Sequence, residues 1–160
     1  MPGIARHDTL HTKVPNTGGI WEGAHMSDAD DSAMGGASKP PHRPVCLLAE
    51  DEAVLATLLE VEFNEAGFDV AGPFKRVEAA ISWLEGATPD IAVIDTMLAD
   101  GSSAPLARAL KDRAVRFIVH SGSDPGPGGT DEAFSGAPWL TKPMLPGEVV
   151  REVRHLLAMP

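Results

Sequence analysis

Short apolar runs recur along the second part of the chain, and polar or charged residues follow each of them. Val45–Ala49 and Ile91–Ile94 are apolar throughout, and each is only four or five residues long. Runs of this length between turn-forming residues are typical of strands that are buried on both faces. Such strands belong to parallel sheets with helices on either side, so these runs limit the fold more than any other feature of the sequence.

The periodicity of the apolar residues predicts five strands separated by helices. The predicted strands are Val45–Ala49, Phe68–Ala71, Ile91–Ile94, Val115–His120, and Trp139 with Leu140. The predicted helices are residues 52–66, Val77–Leu84, Ala104–Lys111 and Glu148–Leu157. A fourth helix between the last two strands must be short and begin near Thr130, because SGSDPGPGG contains two Pro and four Gly. Strands that alternate with helices indicate a doubly wound α/β fold with a parallel sheet.

The first 44 residues differ in composition from the rest of the chain. They contain six Gly, five Pro and four of the six His, and they show no apolar periodicity. We therefore expect residues 1–44 to be a disordered N-terminal tail and residues 45–160 to form the domain.

Charge and composition exclude several classes of function. The net charge is -10, which would repel the phosphate backbone of nucleic acids. No run approaches the roughly 18 apolar residues of a membrane span, and the N-terminus lacks a signal-peptide pattern. The single cysteine, Cys46, lies within an apolar run and has no partner for an intramolecular disulfide. We expect a cytoplasmic protein that binds neither nucleic acid nor membrane.

Polar residues stand at the carboxyl ends of the predicted strands, where ligands bind in doubly wound sheets. They are Glu50 and Asp51, Asp95, Ser121, and Lys142 after Thr141. Each residue alone has an ordinary explanation, since acids favour helix starts and Asp and Ser favour turns. Their joint placement at one sheet edge points instead to a site. Glu52 remains open to the helix-start explanation.

The chemistry of these residue types fits phosphoryl transfer. Crowded carboxylates are relieved by a hard divalent cation such as Mg²⁺, which prefers oxygen ligands and keeps several waters. A carboxylate such as Asp95 can then attack a phosphoryl group and form an aspartyl phosphate. Lys142 would neutralise charge and Ser121 would donate a hydrogen bond to the transferred group.

These motifs resemble the receiver domain of two-component response regulators. The acidic motif is LLAEDE, the acceptor motif is PDIAVIDTMLADG, the hydroxyl motif is FIVHSG and the lysine motif is GAPWLTKP, and together they cover essentially all of residues 45–160. The resemblance implies a flavodoxin-like sheet with strand order 2-1-3-4-5 and a short or irregular fourth helix.

The resemblance also implies a role for each matching position. Asp95 would accept the phosphoryl group, Asp51 would bind Mg²⁺ directly and Glu50 would bind it through water. Further expectations are the backbone carbonyl of Met97 as a metal ligand, Ser121 as the switch hydroxyl, Lys142 as the phosphate-contacting lysine, and Trp139 as the switch aromatic. The Lys142–Pro143 peptide bond is expected to be cis.

The sequence departs from the family pattern in three respects. Ala99 stands where a proline is common four residues after the acceptor, and the acceptor loop TMLADG is shorter than usual before its glycine. Trp139 is bulkier than the usual Tyr or Phe, so it is either a switch aromatic or an aromatic at the edge of the core that does not move.

The expected function is therefore that of a response regulator rather than an enzyme. A sensor histidine kinase or histidine phosphotransfer protein would phosphorylate Asp95 with Mg²⁺. Since the sequence stops at Pro160, just after the last predicted helix, we expect a stand-alone regulator that signals to a protein partner through residues 121–160. Homodimerisation is left open.

Two alternatives compete with this expectation. One is a receiver-like interaction module that acts without phosphorylation. The other is a phosphohydrolase of the haloacid-dehalogenase type, which would need an Asp at position 97, where this chain has Met97.

Overall fold

A computed structural model describes residues 42–123 and 131–158. The predicted tail, apart from residues 42–44, and the predicted helix start at Thr130 lie outside these residues. Within them, no helix is long and apolar enough to cross a membrane.

The strands confirm the predicted α/β class and strand order. In chain order, the strands of the described residues are β1 (Val45–Ala49), β2 (Asp69–Phe74), β3 (Ile91–Ile94), β4 (Met97–Leu98), β5 (Gly101–Ser102), β6 (Arg116–Ser121) and β7 (Trp139–Thr141). Five of them form a parallel sheet in the order β2-β1-β3-β6-β7, and β4 pairs antiparallel with β5 in a separate hairpin. With β4 and β5 set aside, this is the predicted order 2-1-3-4-5.

Helices connect the strands as the sequence predicts, with small differences at their ends. The α-helices of the described residues are α1 (Ala53–Glu65), α2 (Val77–Gly86), α3 (Ala104–Asp112) and α4 (Pro146–Ala158). Where the sequence predicts a short fourth helix, the described residues contain a 3-10 turn at Glu132–Phe134. Helix α1 ends because Gly67 has a φ of +88° and the Phe68 N–H donates to the Phe63 carbonyl at 3.0 Å, a termination that favours glycine.

The edge strand β2 is longer than predicted. It begins at Asp69 rather than Phe68 and runs to Phe74 through Gly72 and Pro73, beyond the predicted end at Ala71. An edge position tolerates this proline because one side of the strand needs no hydrogen-bonding partner.

Apolar side chains fill both faces of the sheet. Consecutive residues of β1, such as Leu47 and Leu48, point to opposite faces. One layer lies under α2 and α3, and the other lies under α1 and α4. Cys46 belongs to the second layer, and burial raises the pKa of its thiol to about 12, so the thiol stays protonated.

Helix α1 exposes part of the apolar face that predicted it. Ala56, Leu59 and Phe63 face the core, whereas Val54 and Leu58 are 69% and 52% exposed. The apolar residues of α1 therefore serve two surfaces, and only one of them packs against the sheet.

The β4–β5 hairpin is a feature that the sequence does not predict. Its turn carries Asp100, whose carboxylate accepts the Val77 and Glu78 N–H groups at 2.7 and 3.1 Å. These are the first amides of α2, which lack partners within the helix. In addition, the Ala99 N–H donates to the Lys75 carbonyl at 3.0 Å. The acceptor loop is thus bonded to the start of α2.

Candidate functional site

Strand register places the residues that follow β1 and β3 beside the carboxyl end of β6. Ala49 lies opposite Ile94, and Ile94 lies opposite Val119. One residue further along each strand, the same register brings together Glu50, Asp95 and His120. The Asp95 N–H still donates to the Ala49 carbonyl at 2.9 Å, so the backbone of Asp95 is held by the sheet.

Lys142 reaches this edge from beyond β7. Its N–H donates to the Ser121 carbonyl at 2.8 Å, and its Nζ lies 2.6 Å from both Glu50 Oε2 and Asp95 Oδ2. The side chains of Lys142, Glu50 and Asp95 are 15%, 2% and 13% exposed. The ammonium group thus joins two carboxylates that would otherwise repel each other in a poorly solvated position.

Burial and pairing shift the acid–base properties of this group. Burial raises the pKa of Glu50, and the hydrogen bonds from Lys142 and the Glu52 N–H oppose this only in part. Burial alone would lower the pKa of Lys142, but the hydrogen bonds to Asp95 and Glu50 outweigh it, and the pKa lies above its usual value. Lys142 therefore stays charged at neutral pH.

Three carboxylates meet at this edge. One oxygen each from Glu50, Asp51 and Asp95 lies within 4.8 Å of the others. Asp51 is exposed, whereas Glu50 is buried. Three negative charges against one ammonium leave an excess of charge, and carboxylate oxygens are the ligands that Mg²⁺ prefers. The donor set therefore fits a divalent cation.

Met97 stands two residues after the acceptor, in β4. Its side chain is exposed, and its N–H lies 3.4 Å from Asp95 Oδ1. The part in metal binding assigned to its carbonyl by resemblance stays a prediction.

The other oxygen of Asp95 faces hydroxyl groups. Thr96 Oγ1 lies 3.3 Å from Asp95 Oδ1 and 2.8 Å from Ser121 Oγ. The Ser103 hydroxyl donates to the Asp95 backbone carbonyl. Ser121, the predicted switch hydroxyl, thus contacts the acceptor through Thr96.

Trp139 is linked to Ser121 through Ser123. The Trp139 Nε1–H donates to the Ser123 carbonyl at 3.0 Å, and the Ser123 N–H donates to Ser121 Oγ at 3.3 Å. The indole also packs edge-on against Phe134, with ring centroids 6.1 Å apart. These contacts place the predicted switch aromatic next to the predicted switch hydroxyl.

His120 adds a neutral group to the site. Its side chain is buried, and neither ring nitrogen has a hydrogen-bonding partner among the described residues. Burial and the nearby positive charge of Lys142 lower the pKa of His120 to about 4, against a partial opposing effect of Asp95. The imidazole is therefore uncharged at neutral pH.

Thr96 and His120 are the site residues that sequence reasoning missed. Both lie within the motifs, but only as neighbours of Asp95 and Ser121. The signal that could have found them is strand register, because aligning β3 with β6 sets His120 beside Asp95 and Thr96 beside Ser121.

Comparison with solved structures identifies the family. The structure is similar to SdrG from Sphingomonas melonis, at 30% identity and a TM-score of 0.60, over 72% of this chain and 98% of that one. It is also similar to the receiver domain of Francisella response regulator 1452, at 26% identity and a TM-score of 0.62, over 72% and 97% of the two chains. A CheY-like receiver domain from Methanospirillum hungatei shares the fold at 18% identity and a TM-score of 0.64, over 72% of this chain and 94% of that one. No protein-family model matches the sequence, and the comparison with curated proteins gives no match.

The sheet order, the acidic cluster and these similar structures all indicate the same family. The chain belongs to the response regulator receiver domains. This confirms the resemblance drawn from the four motifs.

Proposed function

We propose that this protein accepts a phosphoryl group on Asp95 from a histidine kinase or histidine phosphotransfer protein and passes the signal to another protein. The observation that carries the proposal is the pairing at Asp95, where Lys142 Nζ lies 2.6 Å from Oδ2 while Glu50 and Asp51 bring further carboxylates to the same edge. This arrangement offers a carboxylate nucleophile with a fixed positive charge beside it.

The transfer step follows from the donor chemistry. A carboxylate oxygen of Asp95 attacks the phosphorus of a phosphohistidine, the new O–P bond forms an acyl phosphate, and the P–N bond breaks. The electron pair of that bond returns to the imidazole nitrogen of the donor. Lys142, already beside Asp95, neutralises charge on the phosphoryl oxygens.

Magnesium belongs to the same proposal. Asp51 and Asp95 would hold the ion directly, Glu50 would hold it through water, and the Met97 carbonyl would complete the protein ligands. When bound, Mg²⁺ neutralises phosphoryl oxygens and the excess charge of the acidic cluster.

An exposed apolar patch beside the site supports a protein as the phosphodonor. We define this patch as Val54 and Leu58 of α1 together with Pro143 and Met144, which line one groove with Lys142. Val54 and Leu58 are more than half exposed, so a docked protein would bury apolar area next to Asp95. The downstream partner would bind the face of residues 121–160, because Ser121, Trp139 and Lys142 all belong to it.

Labelling with acetyl phosphate tests the proposal. We expect one added phosphoryl group by intact-mass spectrometry in the presence of Mg²⁺, and none in Asp95→Asn, which keeps the shape of the side chain but removes the nucleophile. Asp112→Asn is the matched control, because Asp112 is exposed at the end of α3, and it should be labelled like the wild type.

The alternatives give different results. Equal labelling of Asp95→Asn and the wild type would place the phosphoryl group elsewhere, and no labelling of either would refute the proposal. A phosphohydrolase would release many phosphates from a generic ester per protein molecule. A module that works without phosphorylation would bind its partner equally well as Asp95→Asn.

A further inference from the structure

Thr96 occupies a position between the phosphoacceptor and the switch hydroxyl. Its Oγ1 lies 3.3 Å from Asp95 Oδ1 and 2.8 Å from Ser121 Oγ. The residue is partly buried, and Ser121 is only 2% exposed, so water is a poor substitute for these contacts. A hydroxyl in this place affects both the acceptor and the residue expected to respond to phosphorylation.

Counting protons gives these contacts a direction. Each hydroxyl has one proton to donate, and an ionised carboxylate only accepts. Thr96 therefore donates to Asp95 Oδ1, which leaves its own oxygen to accept the proton of Ser121. Ser121 in turn accepts the Ser123 N–H at 3.3 Å. The single proton of Ser121 is thus engaged with Thr96 in the resting protein.

We propose that Thr96 is a positioning residue that holds the Ser121 hydroxyl in its resting orientation, and that phosphorylation of Asp95 must break the Thr96–Ser121 hydrogen bond. This inference rests on the proposed function, in which Ser121 donates its proton to a phosphoryl oxygen. Ser121 cannot donate one proton to two acceptors, so Thr96 and the phosphoryl group compete for it. Thr96 thereby sets part of the equilibrium between the resting and phosphorylated conformations.

The contacts beyond Ser121 explain how this competition reaches the surface. Ser123 joins the Ser121 hydroxyl to the indole of Trp139 through its N–H and its carbonyl. When the Ser121 hydroxyl turns away from Thr96, the Ser123 amide loses its acceptor. The position of Trp139 is therefore coupled to the competition at Thr96, and its fluorescence can report on it.

Two substitutions of Thr96 separate the hydroxyl from the shape of the side chain. Thr96→Val keeps the branched shape and removes the hydroxyl. Buried Ser121 then lacks the hydrogen bond that stabilises the resting state, and the phosphorylated state, in which this bond is already broken, is unaffected. Thr96→Ser keeps the hydroxyl and loses a methyl group. With beryllofluoride and Mg²⁺ as a stable phosphoryl analogue, we expect Thr96→Val to bind about fivefold more tightly than the wild type, the effect of one hydrogen bond.

Thr96→Ser should bind the analogue like the wild type. In a Ser121→Ala background, Thr96→Val should have a clearly smaller effect, because the competing proton is gone and only the contact of Thr96 with Asp95 remains to be lost. Binding would be followed by tryptophan fluorescence, with Trp139→Phe showing which part of the signal comes from Trp139. Equal affinity of the wild type and Thr96→Val would overturn the inference, as would an increase of the same size in the Ser121→Ala background.

A measurement on the resting protein keeps this test independent of phosphorylation. Three-bond couplings of Ser121 in NMR should show one side-chain rotamer in the wild type and in Thr96→Ser, but an average of rotamers in Thr96→Val. A fixed rotamer in all three would refute the role of Thr96. If the wild type binds no beryllofluoride while Ser121 is averaged only in Thr96→Val, the proposed function fails and the positioning by Thr96 stands.

Discussion

The two oxygens of Asp95 face different kinds of surroundings. Oδ2 faces charge, because Lys142 Nζ lies 2.6 Å from it and equally close to Glu50 Oε2. Oδ1 faces neutral groups, the Thr96 hydroxyl and the Met97 N–H, and Thr96 links it to Ser121 of β6. Charge acts strongly on a phosphoryl group, whereas one neutral hydrogen bond changes an equilibrium by a small factor. Under the proposed function, this difference predicts that the charged side promotes phosphoryl transfer and that the neutral side adjusts the conformational response to it.

The largest effect is expected from removing the positive charge. Lys142→Met keeps much of the side-chain length but leaves Glu50 and Asp95 without their shared ammonium. We expect labelling by acetyl phosphate to slow by about 100-fold, in line with the loss of one preorganised charge at a reacting group. Lys75→Met, at an exposed lysine in the loop before α2, should label at the wild-type rate. If both variants label alike, the charged side does not promote transfer.

An intermediate effect is expected from the acidic cluster. Asp51→Asn removes one candidate metal ligand, and we expect at least about a tenfold loss of Mg²⁺ affinity by calorimetric titration. Glu52→Gln removes the same charge from the neighbouring residue, whose contact with the cluster is through its backbone N–H. It should keep nearly full affinity. Equal losses in the two variants would mean that general negative charge, rather than a ligand, attracts the ion.

The smallest effect is expected from the buried, uncharged imidazole of His120 in β6. The pKa of His120 falls from 6.5 to about 4 in the folded protein, so the unfolded chain binds more protons between these values. The contribution of neutral His120 to the free energy of unfolding is therefore fully present above pH 6.5 and is lost as the pH falls toward 4. We expect the free energy of unfolding, measured with urea, to be about 1 kcal/mol lower at pH 5.5 than at pH 7.5 for this reason.

His120→Leu should remove that part of the acid sensitivity, and His155→Leu, at an exposed histidine of α4, is the matched control. The raised pKa of Glu50 acts in the opposite direction, but Glu50 is present in every variant, so the difference between variants reports His120. An unchanged pH dependence in His120→Leu would show that the imidazole is not kept neutral by burial.

The sequence predicts the sheet well because its strands are buried on both faces. Ile91–Ile94 is apolar throughout, and its observed bounds equal the predicted ones. The same logic places Glu50, Asp95 and Lys142 at one edge, since residues that end parallel strands must meet there. The cis peptide bond at Lys142–Pro143, expected from the resemblance, is also present.

Other features depend on contacts between distant segments, and periodicity cannot show these. Val54 and Leu58 have helical spacing like Leu59, yet they face solvent. The sequence pattern shows that α1 has an apolar face but does not show how much of that face the sheet covers. Thr96 becomes a partner of Ser121 only through the register of β3 with β6. The β4–β5 hairpin escapes prediction because its strands are two residues long.

The hairpin also has a mechanical consequence. Asp95 and Asp100 stand at the two ends of one short segment, the first anchored to the sheet and the second capping α2. Because both ends are held, the segment fixes the distance between them. An inserted or deleted residue would therefore displace either Asp95 or the first turn of α2. The length of this loop is therefore matched to the spacing between the sheet edge and the helix.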